Sequence, residues 1–226
     1  MSLKITYLGH SGFLFDDGRF TCAVDPFLTG NPRAIHKPDQ IHCTHVALTH
    51  GHDDHLGDTV SIARKNRAKC VANWEICSFL GEQGIHSDQL DPGNTGGTIK
   101  TDFGWIAFTP AFHSSSTRGR YMGQPCGLVI RIGGINIYHA GDTALFSDMK
   151  LIAELYRPQI ACLPVGDRFT MGPEHAAKAA EWIQPRFAIP IHYKTFGLLR
   201  QDIAGFSPAG VEVKELPVGE AWTVPG

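Results

Sequence analysis

The sequence has no marked excess of charge of either sign. Its 20 lysines and arginines nearly balance 22 aspartates and glutamates, for a formal net charge of -2. Proteins that bind nucleic acid or acidic membrane surfaces usually present a basic excess. We therefore expect a small-molecule substrate as the partner, and we expect no binding of nucleic acid.

Long apolar runs and paired cysteines are also lacking. No apolar stretch reaches the roughly 18 residues of a membrane span, and the opening "MSLKITYLGH" lacks the apolar core of a signal peptide. The six cysteines are scattered without a C-x-x-C pair, which is typical of buried, reduced thiols. These features predict a cytoplasmic protein without membrane insertion and leave homo-oligomer formation open.

Two common catalytic motifs are absent. The chain contains no G-x-S-x-G, the motif that presents a nucleophilic serine. The glycine-rich stretch "DPGNTGGT" lacks the Gly-Lys-Ser/Thr of a phosphate-binding loop, so we predict a turn there.

The pattern of the 226 residues predicts one α/β domain, over residues 1–226. A β-rich opening is followed by a βαβα region, a second β-rich region and an αβαβ region, with no linker between them. Two similar halves of this kind predict two packed sheets covered by helices on both outer faces. One of the predicted helices covers residues 54–66, "DHLGDTVSIARKN".

The most informative stretch is "HVALTHGHDDHLGD", in which His50–His55 read H-x-H-x-D-H. Two histidines at i and i+2 of an extended chain point the same way, so His50 and His52 can hold one ion. Asp54 and His55 then fall on the first turn of a helix, where they can face a second ion. A surface loop with accidental histidines is the alternative, but so many ligand types in six positions favour a metal site.

Three further polar residues each end a later apolar run. His113 follows "WIAFTPAF", Asp142 follows "INIYHAG" and His192 follows "FAIPI". Each one alone is typical of a capping or hydrogen-bonding residue. Together with the first cluster, they are the ligands that a two-ion site still needs.

These motifs resemble those of a known family. "THGHDDHLGD", "FHSSS", "HAGDT" and "IPIHY" are similar, in order and separation, to the metal motifs of the metallo-β-lactamase superfamily. "YLGHSGF", "DPFLTGN" and "FTMGPEHAA" resemble the small metal-dependent hydrolase branch, which is akin to the ascorbate-6-phosphate lactonase and N-acylphosphatidylethanolamine phospholipase branches. The resemblance covers essentially the whole chain and does not identify a substrate.

The resemblance implies a four-layer αββα sandwich with two metal ions at one edge. His50, His52 and His113 would hold the first ion and Asp54, His55 and His192 the second, with Asp142 bridging both. Three neutral imidazoles suit zinc, and the second set would also accept manganese or iron.

A water held between two such ions becomes hydroxide near neutral pH, because the ions lower its pKa from 15.7 towards ~7. The hydroxide would attack a small ester, lactone, amide or phosphodiester. We expect Asp142 and His10 to take part in catalysis. Asp53 and His139 are alternatives to His10 as the group that serves the leaving group, and a hydrogen-bonded structural role for His10 is equally open.

The sequence also leaves other functions open. A non-catalytic metal-binding module has no sequence feature against it except the full ligand set. A di-iron redox protein of this fold would carry a glutamate near Asp53 and an added flavodoxin domain, and a nuclease would carry basic arms.

Three further residues each have two possible roles. Asp25 is either a carboxylate that orients a metal-binding histidine or a turn residue. Arg118 and Arg120 either bind a substrate anion or lie in a solvated loop.

Overall fold

The computed structural model describes residues 2–225, which form alternating strands and helices. The strands are β1 Lys4–Gly9, β2 Gly12–Asp16, β3 Thr21–Val24, β4 His45–Ala47, β5 Lys69–Asn73, β6 Leu90–Gly93, β7 Thr98–Thr101, β8 Gly104–Pro110, β9 Ser116–Thr117, β10 Arg120–Tyr121, β11 Cys126–Ile132, β12 Ile135–His139, β13 Ile160–Pro164, β14 Phe187–Ile191, β15 Glu212–Val213 and β16 Ala221–Thr223. The α-helices are α1 Asp53–Leu56, α2 Thr59–Asn66, α3 Trp74–Glu82, α4 Met149–Tyr156 and α5 Pro173–Ile183.

Two seven-stranded sheets contain all but one pair of the described strands. The first has the order β16-β1-β2-β3-β4-β5-β6 and the second the order β15-β14-β13-β12-β11-β8-β7. In each sheet an antiparallel meander continues into parallel strands, β3 to β6 in the first and β12 to β15 in the second. The short hairpin of β9 and β10 stands apart.

Alternation along the strands separates three apolar layers. In β14 the side chains of Phe187, Ile189 and Ile191 face the core between the two sheets, whereas Ala188 faces the helices. One outer layer packs the first sheet against α1, α2 and α3, and the other packs the second sheet against α4 and α5. The three apolar layers give the αββα order, so the predicted fold class is confirmed.

One local prediction was wrong, and another was incomplete. The helix predicted over residues 54–66 is broken into α1 and α2 at Gly57, which has φ 44° and ψ -127°. A Cβ at Gly57 would lie 2.6 Å from the carbonyl oxygen of Pro26, so the chain turns away there. The stretch "DPGNTGGT" is also more than a turn, because its first residues belong to β6 and its last residue begins β7.

The described part of the chain contains no helix that is both long and apolar enough to cross a membrane.

Candidate metal centre

Polar residues that follow the ends of strands in both sheets lie close together at one edge of the sandwich. His50 follows β4 and His10 follows β1 in the first sheet, while His113, Asp142 and His192 follow β8, β12 and β14 in the second. Ligands commonly bind beyond the carboxyl ends of parallel strands. The structure thus brings together all the residues that the sequence singled out as metal ligands.

A first group consists of His50, His52 and His113, whose ligand atoms all lie within 4.8 Å of one another. The Nε2 atom of His50 is 3.0 Å from Nδ1 of His52. The Nε2 atom of His52 lies 3.3 Å from the hydroxyl of Ser114. This group matches the set expected for the first ion.

A second group consists of Asp54, His55 and His192, joined by His10. His10 and His192 pack their rings with centroids 4.1 Å apart, and Nε2 of His10 lies 3.1 Å from Oδ2 of Asp54. The sequence placed His10 near the centre but did not predict that it would lie within ligand distance of this group.

Asp142 lies between the two groups. Its Oδ2 atom is 3.4 Å from Nε2 of His113 and 3.0 Å from Nε2 of His192, while Oδ1 is 3.2 Å from Nε2 of His55. The Nε2 atom of His50 lies 4.0 Å from Oδ2. One carboxylate therefore reaches members of both groups, which is the position that a bridging ligand requires.

Asp25 supports one histidine from each group. Its Oδ2 atom accepts a hydrogen bond from Nδ1 of His55 at 2.7 Å and another from the hydroxyl of Thr49 at 2.6 Å. The Thr49 hydroxyl in turn accepts from Nδ1 of His50 at 3.0 Å. Both rings thereby turn their Nε2 atoms into the centre, and Asp25 is the orienting carboxylate rather than only a turn residue.

Burial keeps the imidazoles of the first group neutral. It lowers the pKa of His50 well below its ordinary value and also lowers the pKa of His52 and of His113. A neutral imidazole offers a lone pair to a metal ion, whereas an imidazolium does not.

His55 and Asp142 form an ion pair in the protein alone. Burial by itself would lower the pKa of His55, but the carboxylates of Asp142 and Asp25 outweigh it and raise that pKa well above the ordinary value. Burial would likewise raise the pKa of Asp142, but His192 and His55 outweigh it and hold that pKa well below the ordinary value. A metal ion would replace the proton on His55.

The donor set fits a cation. Nε2 of His55 and Oδ1 of Asp142 are buried and face each other at 3.2 Å, but the pair lacks the angles of a hydrogen bond, and neither atom has a hydrogen-bond partner within residues 2–225. A buried polar atom without a partner is costly, and several such atoms facing one another are satisfied together by a metal ion. Asp54 and His113 remain 29% and 14% exposed, so solvent and small molecules reach the centre from their side.

His10, Asp53 and His139 are the three candidates for the group that assists departure of the leaving group. Two of them, Asp53 and His139, lie away from the ligand atoms. His139 is fully buried, donates from Nε2 to the carbonyl of Ser11 at 2.8 Å and accepts from the Gly141 amide at 3.2 Å. Asp53 accepts a hydrogen bond from the hydroxyl of Thr117. Only His10 touches a member of the ligand groups with its ring nitrogen. Burial and the neighbouring His192 lower the pKa of His10 to about 4, so the ring is neutral at neutral pH.

The two arginines after His113 have different surroundings. Arg120 is paired with Glu82 on α3, so it is engaged in a surface ion pair. Arg118 forms the turn of the β9–β10 hairpin with φ 48° and lines a cavity of about 430 Å³ together with Asp53 and Phe27. Of the pair, only Arg118 remains a candidate for contact with substrate.

Several supporting residues were missed from the sequence. Thr49 links Asp25 to His50, Thr195 lies 2.9 Å from Nδ1 of His10, and Ser114 faces His52. Thr49 and Ser114 directly adjoin ligands in the chain, which is a signal that could have found them. Thr195 carries no such signal, because its partner is 185 residues away.

Comparison with known proteins gives a consistent result. A family model described as "Beta-lactamase superfamily domain" matches residues 4–192. A protein of Thermus thermophilus named "UPF0173 metal-dependent hydrolase" is 45% identical over 223 residues, covering 96% of this chain and 97% of that protein. A protein of the same name from Anoxybacillus flavithermus is 45% identical over 205 residues, covering 88% of this chain and 90% of that one.

A solved structure extends the likeness to three dimensions. Igni18, described as a novel metallo hydrolase from the archaeon Ignicoccus hospitalis, superposes with a TM-score of 0.89 at 35% sequence identity. The match covers 100% of both chains.

Proposed function

Because this chain belongs to the metallo-β-lactamase superfamily, and within it to the UPF0173 metal-dependent hydrolases, we propose that it hydrolyses a small molecule with two metal ions held side by side. That the chain is a metal-dependent hydrolase follows from its relatives. The number of ions, the ligand set and the mechanism are our proposal.

The position of Asp142 supports the two-ion mechanism most strongly. Its carboxylate lies within 4.0 Å of Nε2 of His50 and within 3.2 Å of Nε2 of His55, and it also reaches one more histidine of each group. We assign His50, His52 and His113 to one ion and Asp54, His55 and His192 to the other, with Asp142 shared.

When bound, two divalent transition-metal ions would supply activation of water near neutral pH and polarisation of the carbonyl or phosphoryl oxygen under attack. We expect zinc in the all-histidine group, and zinc, manganese or iron in the group that contains a carboxylate.

The protein's own side chains orient this chemistry. Asp25 holds His55 directly and His50 through Thr49, so both ligands keep a fixed ring orientation. His10 contacts Oδ2 of Asp54 and, being neutral at neutral pH, acts there as a hydrogen-bonding partner that fixes the carboxylate. We propose this positioning role for His10 in catalysis, because a group with a pKa of about 4 is a poor proton donor at neutral pH.

We infer that the chain needs no covalent nucleophile. All six cysteines are buried and unpaired, and burial raises the pKa of Cys43, Cys70 and Cys77 to about 12. None is a thiolate at neutral pH. The same unpaired thiols support our placement of the protein in the cytoplasm. The substrates we propose are small esters, lactones, amides and phosphodiesters.

The ratio of metal to protein tests the two-ion mechanism. Protein reloaded with zinc or manganese should contain two ions per chain by elemental analysis. Asp142→Ala should lose at least one ion and most of kcat, because the shared carboxylate is gone. Screening against lactones, phosphodiesters, thioesters and β-lactams would supply the substrate for the kinetics.

Arg118→Ala is the matched comparison. It removes at most one contact with substrate, of order 1.5–3 kcal/mol for a charged hydrogen bond. It should keep both ions and raise KM. The mechanism would be contradicted if the unaltered chain bound at most one ion. It would also be contradicted if Asp142→Ala kept near-normal kcat and full metal content.

A further inference from the structure

Large apolar side chains stand exposed around the entrance to the metal centre. Phe112, Phe169, Phe196 and Leu198 are 63%, 53%, 38% and 61% exposed. We call these four residues the apolar rim. Single exposed apolar side chains are common, but a group of them beside a polar site is typical of a binding surface.

Hydrogen bonds donated by backbone amides tie the loops of the apolar rim together. The Phe112 amide donates to the Thr143 hydroxyl at 3.0 Å, and the Met171 amide donates to the Thr143 carbonyl at 3.0 Å. The Arg200 amide donates to the Gly166 carbonyl at 3.0 Å. The loops that carry Phe112, Phe169 and Phe196 are therefore held as neighbours along one side of the site.

Two members of the rim adjoin the metal centre itself. Phe112 directly precedes His113, and its ring packs against Phe146 with centroids 5.2 Å apart. The Phe196 ring lies 5.5 Å from the ring of His10 and 6.4 Å from that of Phe27. The rim thus flanks both groups of metal-binding side chains.

The entrance needs to stay open for reaction. Asp54, His52 and His113 are the partly exposed members of the two groups. His113 directly follows the rim residue Phe112, and Asp54 contacts His10, whose ring packs against Phe196. A second copy of the chain seated on the rim would cover this entrance. A substrate whose reacting bond sits between the two groups, by contrast, can extend its remaining atoms over the rim.

We propose that the apolar rim binds the non-reacting part of the substrate, and that this part is an aliphatic acyl chain or an aryl group. The inference rests on the proposed function, because it requires the reacting group to be held at the metal centre. Burial of apolar substrate atoms against Phe112 and Phe196 would then distinguish such substrates from small polar ones.

Hydroxamates of increasing tail length test this without requiring turnover. The hydroxamate head binds divalent metal, so aceto-, butyro-, hexano- and benzohydroxamate share one head and differ in the apolar tail. Calorimetric titration of zinc-loaded protein should show affinity rising about twofold to fourfold per added methylene. Benzohydroxamate should also bind more tightly than acetohydroxamate.

Variants locate the effect. Phe112→Ala and Phe196→Ala should each reduce the ratio of hexanohydroxamate to acetohydroxamate affinity at least threefold. Leu155→Ala should leave that ratio unchanged, because Leu155 is 70% exposed on α4, outside the rim.

The outcomes separate the two proposals. If acetohydroxamate binds but longer tails gain nothing, the role of the rim is overturned and the metal centre stands. If no hydroxamate binds the zinc-loaded protein, the metal centre is overturned and this inference with it. If the rim variants change the oligomeric state by light scattering but leave the tail dependence intact, the rim is an interface between copies and the substrate role is wrong.

Discussion

At the scale of single residues, Asp25 is the side chain that positions one histidine of each proposed ligand group. It is fully buried and holds His55 at 2.7 Å and the Thr49 hydroxyl at 2.6 Å. Asp25→Asn keeps the size but removes the charge and turns one acceptor into a donor. We expect a loss of about 10-fold to 100-fold in metal affinity, the usual effect of losing such an orienting partner.

Competition with a chelator of known affinity would measure this loss. Asp88→Asn, an exposed carboxylate outside the metal centre, is the control and should bind metal normally. Unchanged affinity in Asp25→Asn would show that the histidines are held by packing alone.

His139 connects the turn that carries His10 with the loop that carries Asp142. It donates to the Ser11 carbonyl and accepts from the Gly141 amide, so His139→Ala leaves two buried backbone groups without partners. We expect a loss of about 2–5 kcal/mol in the free energy of unfolding, measured with urea. His139→Gln should recover part of the loss. The exposed His86→Ala should cost little, and a similar loss there would contradict this role.

Local spacing explains why the sequence predicted most of the candidate ligands. His50, His52, Asp54 and His55 are close because they are neighbours in the chain, and the other three each end a strand at one edge of the sandwich. The contact between His10 and Asp54, and that between His10 and Thr195, depend on packing between distant segments. No pattern within a short stretch of sequence records such contacts.

At the scale of elements, the break between α1 and α2 sets the direction of the turn that carries Asp54 and His55. A Cβ at Gly57 would lie 2.6 Å from the Pro26 carbonyl oxygen and 2.7 Å from Cα of Phe27. We expect Gly57→Ala to cost about 2–5 kcal/mol, from left-handed backbone strain and from overpacking. The shift of α1 should also reduce metal content.

Gly96→Ala separates the two causes. Gly96 has φ 89° and open space where a Cβ would stand, so this variant feels the backbone strain alone, about 1–2 kcal/mol. Thermal unfolding and elemental analysis of both variants are the measurements. Equal destabilisation of the two would show that contact with Pro26 and Phe27 does not matter.

The break at Gly57 also shows why the sequence predicted a single helix over residues 54–66. Apolar spacing over residues 54–66 fits one helix, and nothing within that stretch requires an interruption except Gly57 itself. The cause is the backbone of Pro26 and Phe27, about 30 residues earlier in the chain. Apolar periodicity indicates which face of a segment is buried. It does not indicate whether that segment would clash with a distant part of the chain.

At the scale of the whole molecule, two similar halves were enough to predict two sheets with helices outside. The alternation of large and small apolar residues in strands such as β14 carries that information directly. The strand order and the separate β9–β10 hairpin could not be predicted in the same way, because pairing partners are chosen between distant segments.

The buried thiols predict how stability changes in alkali. Burial raises the pKa of Cys43, Cys70 and Cys77 to about 12, whereas an unfolded thiol titrates near ~8.5. The unfolded chain therefore releases protons that the folded chain keeps. The free energy of unfolding should fall between about pH 9 and pH 12, by up to about 1.4 kcal/mol per pH unit for each such thiol.

Urea unfolding at several alkaline pH values would measure this slope. Cys77→Ala should make the pH dependence of the free energy of unfolding shallower by the contribution of one thiol. An unchanged slope would show that the Cys77 thiol does not have a raised pKa. In the native protein at pH 8 the thiols should resist iodoacetamide, whereas all six should react after denaturation.

The division of the proposed ligands between the two sheets has a consequence for synthesis in the cell. The motif His50–His55 leaves the ribosome early, whereas His192 follows 137 residues after His55. At about 5–20 residues per second, that interval lasts roughly 7 to 27 seconds. Throughout it the nascent chain exposes three histidines and two aspartates that can capture metal in an incomplete site. The proposed site is therefore complete only after His192, which follows β14 of the second sheet, has been synthesised.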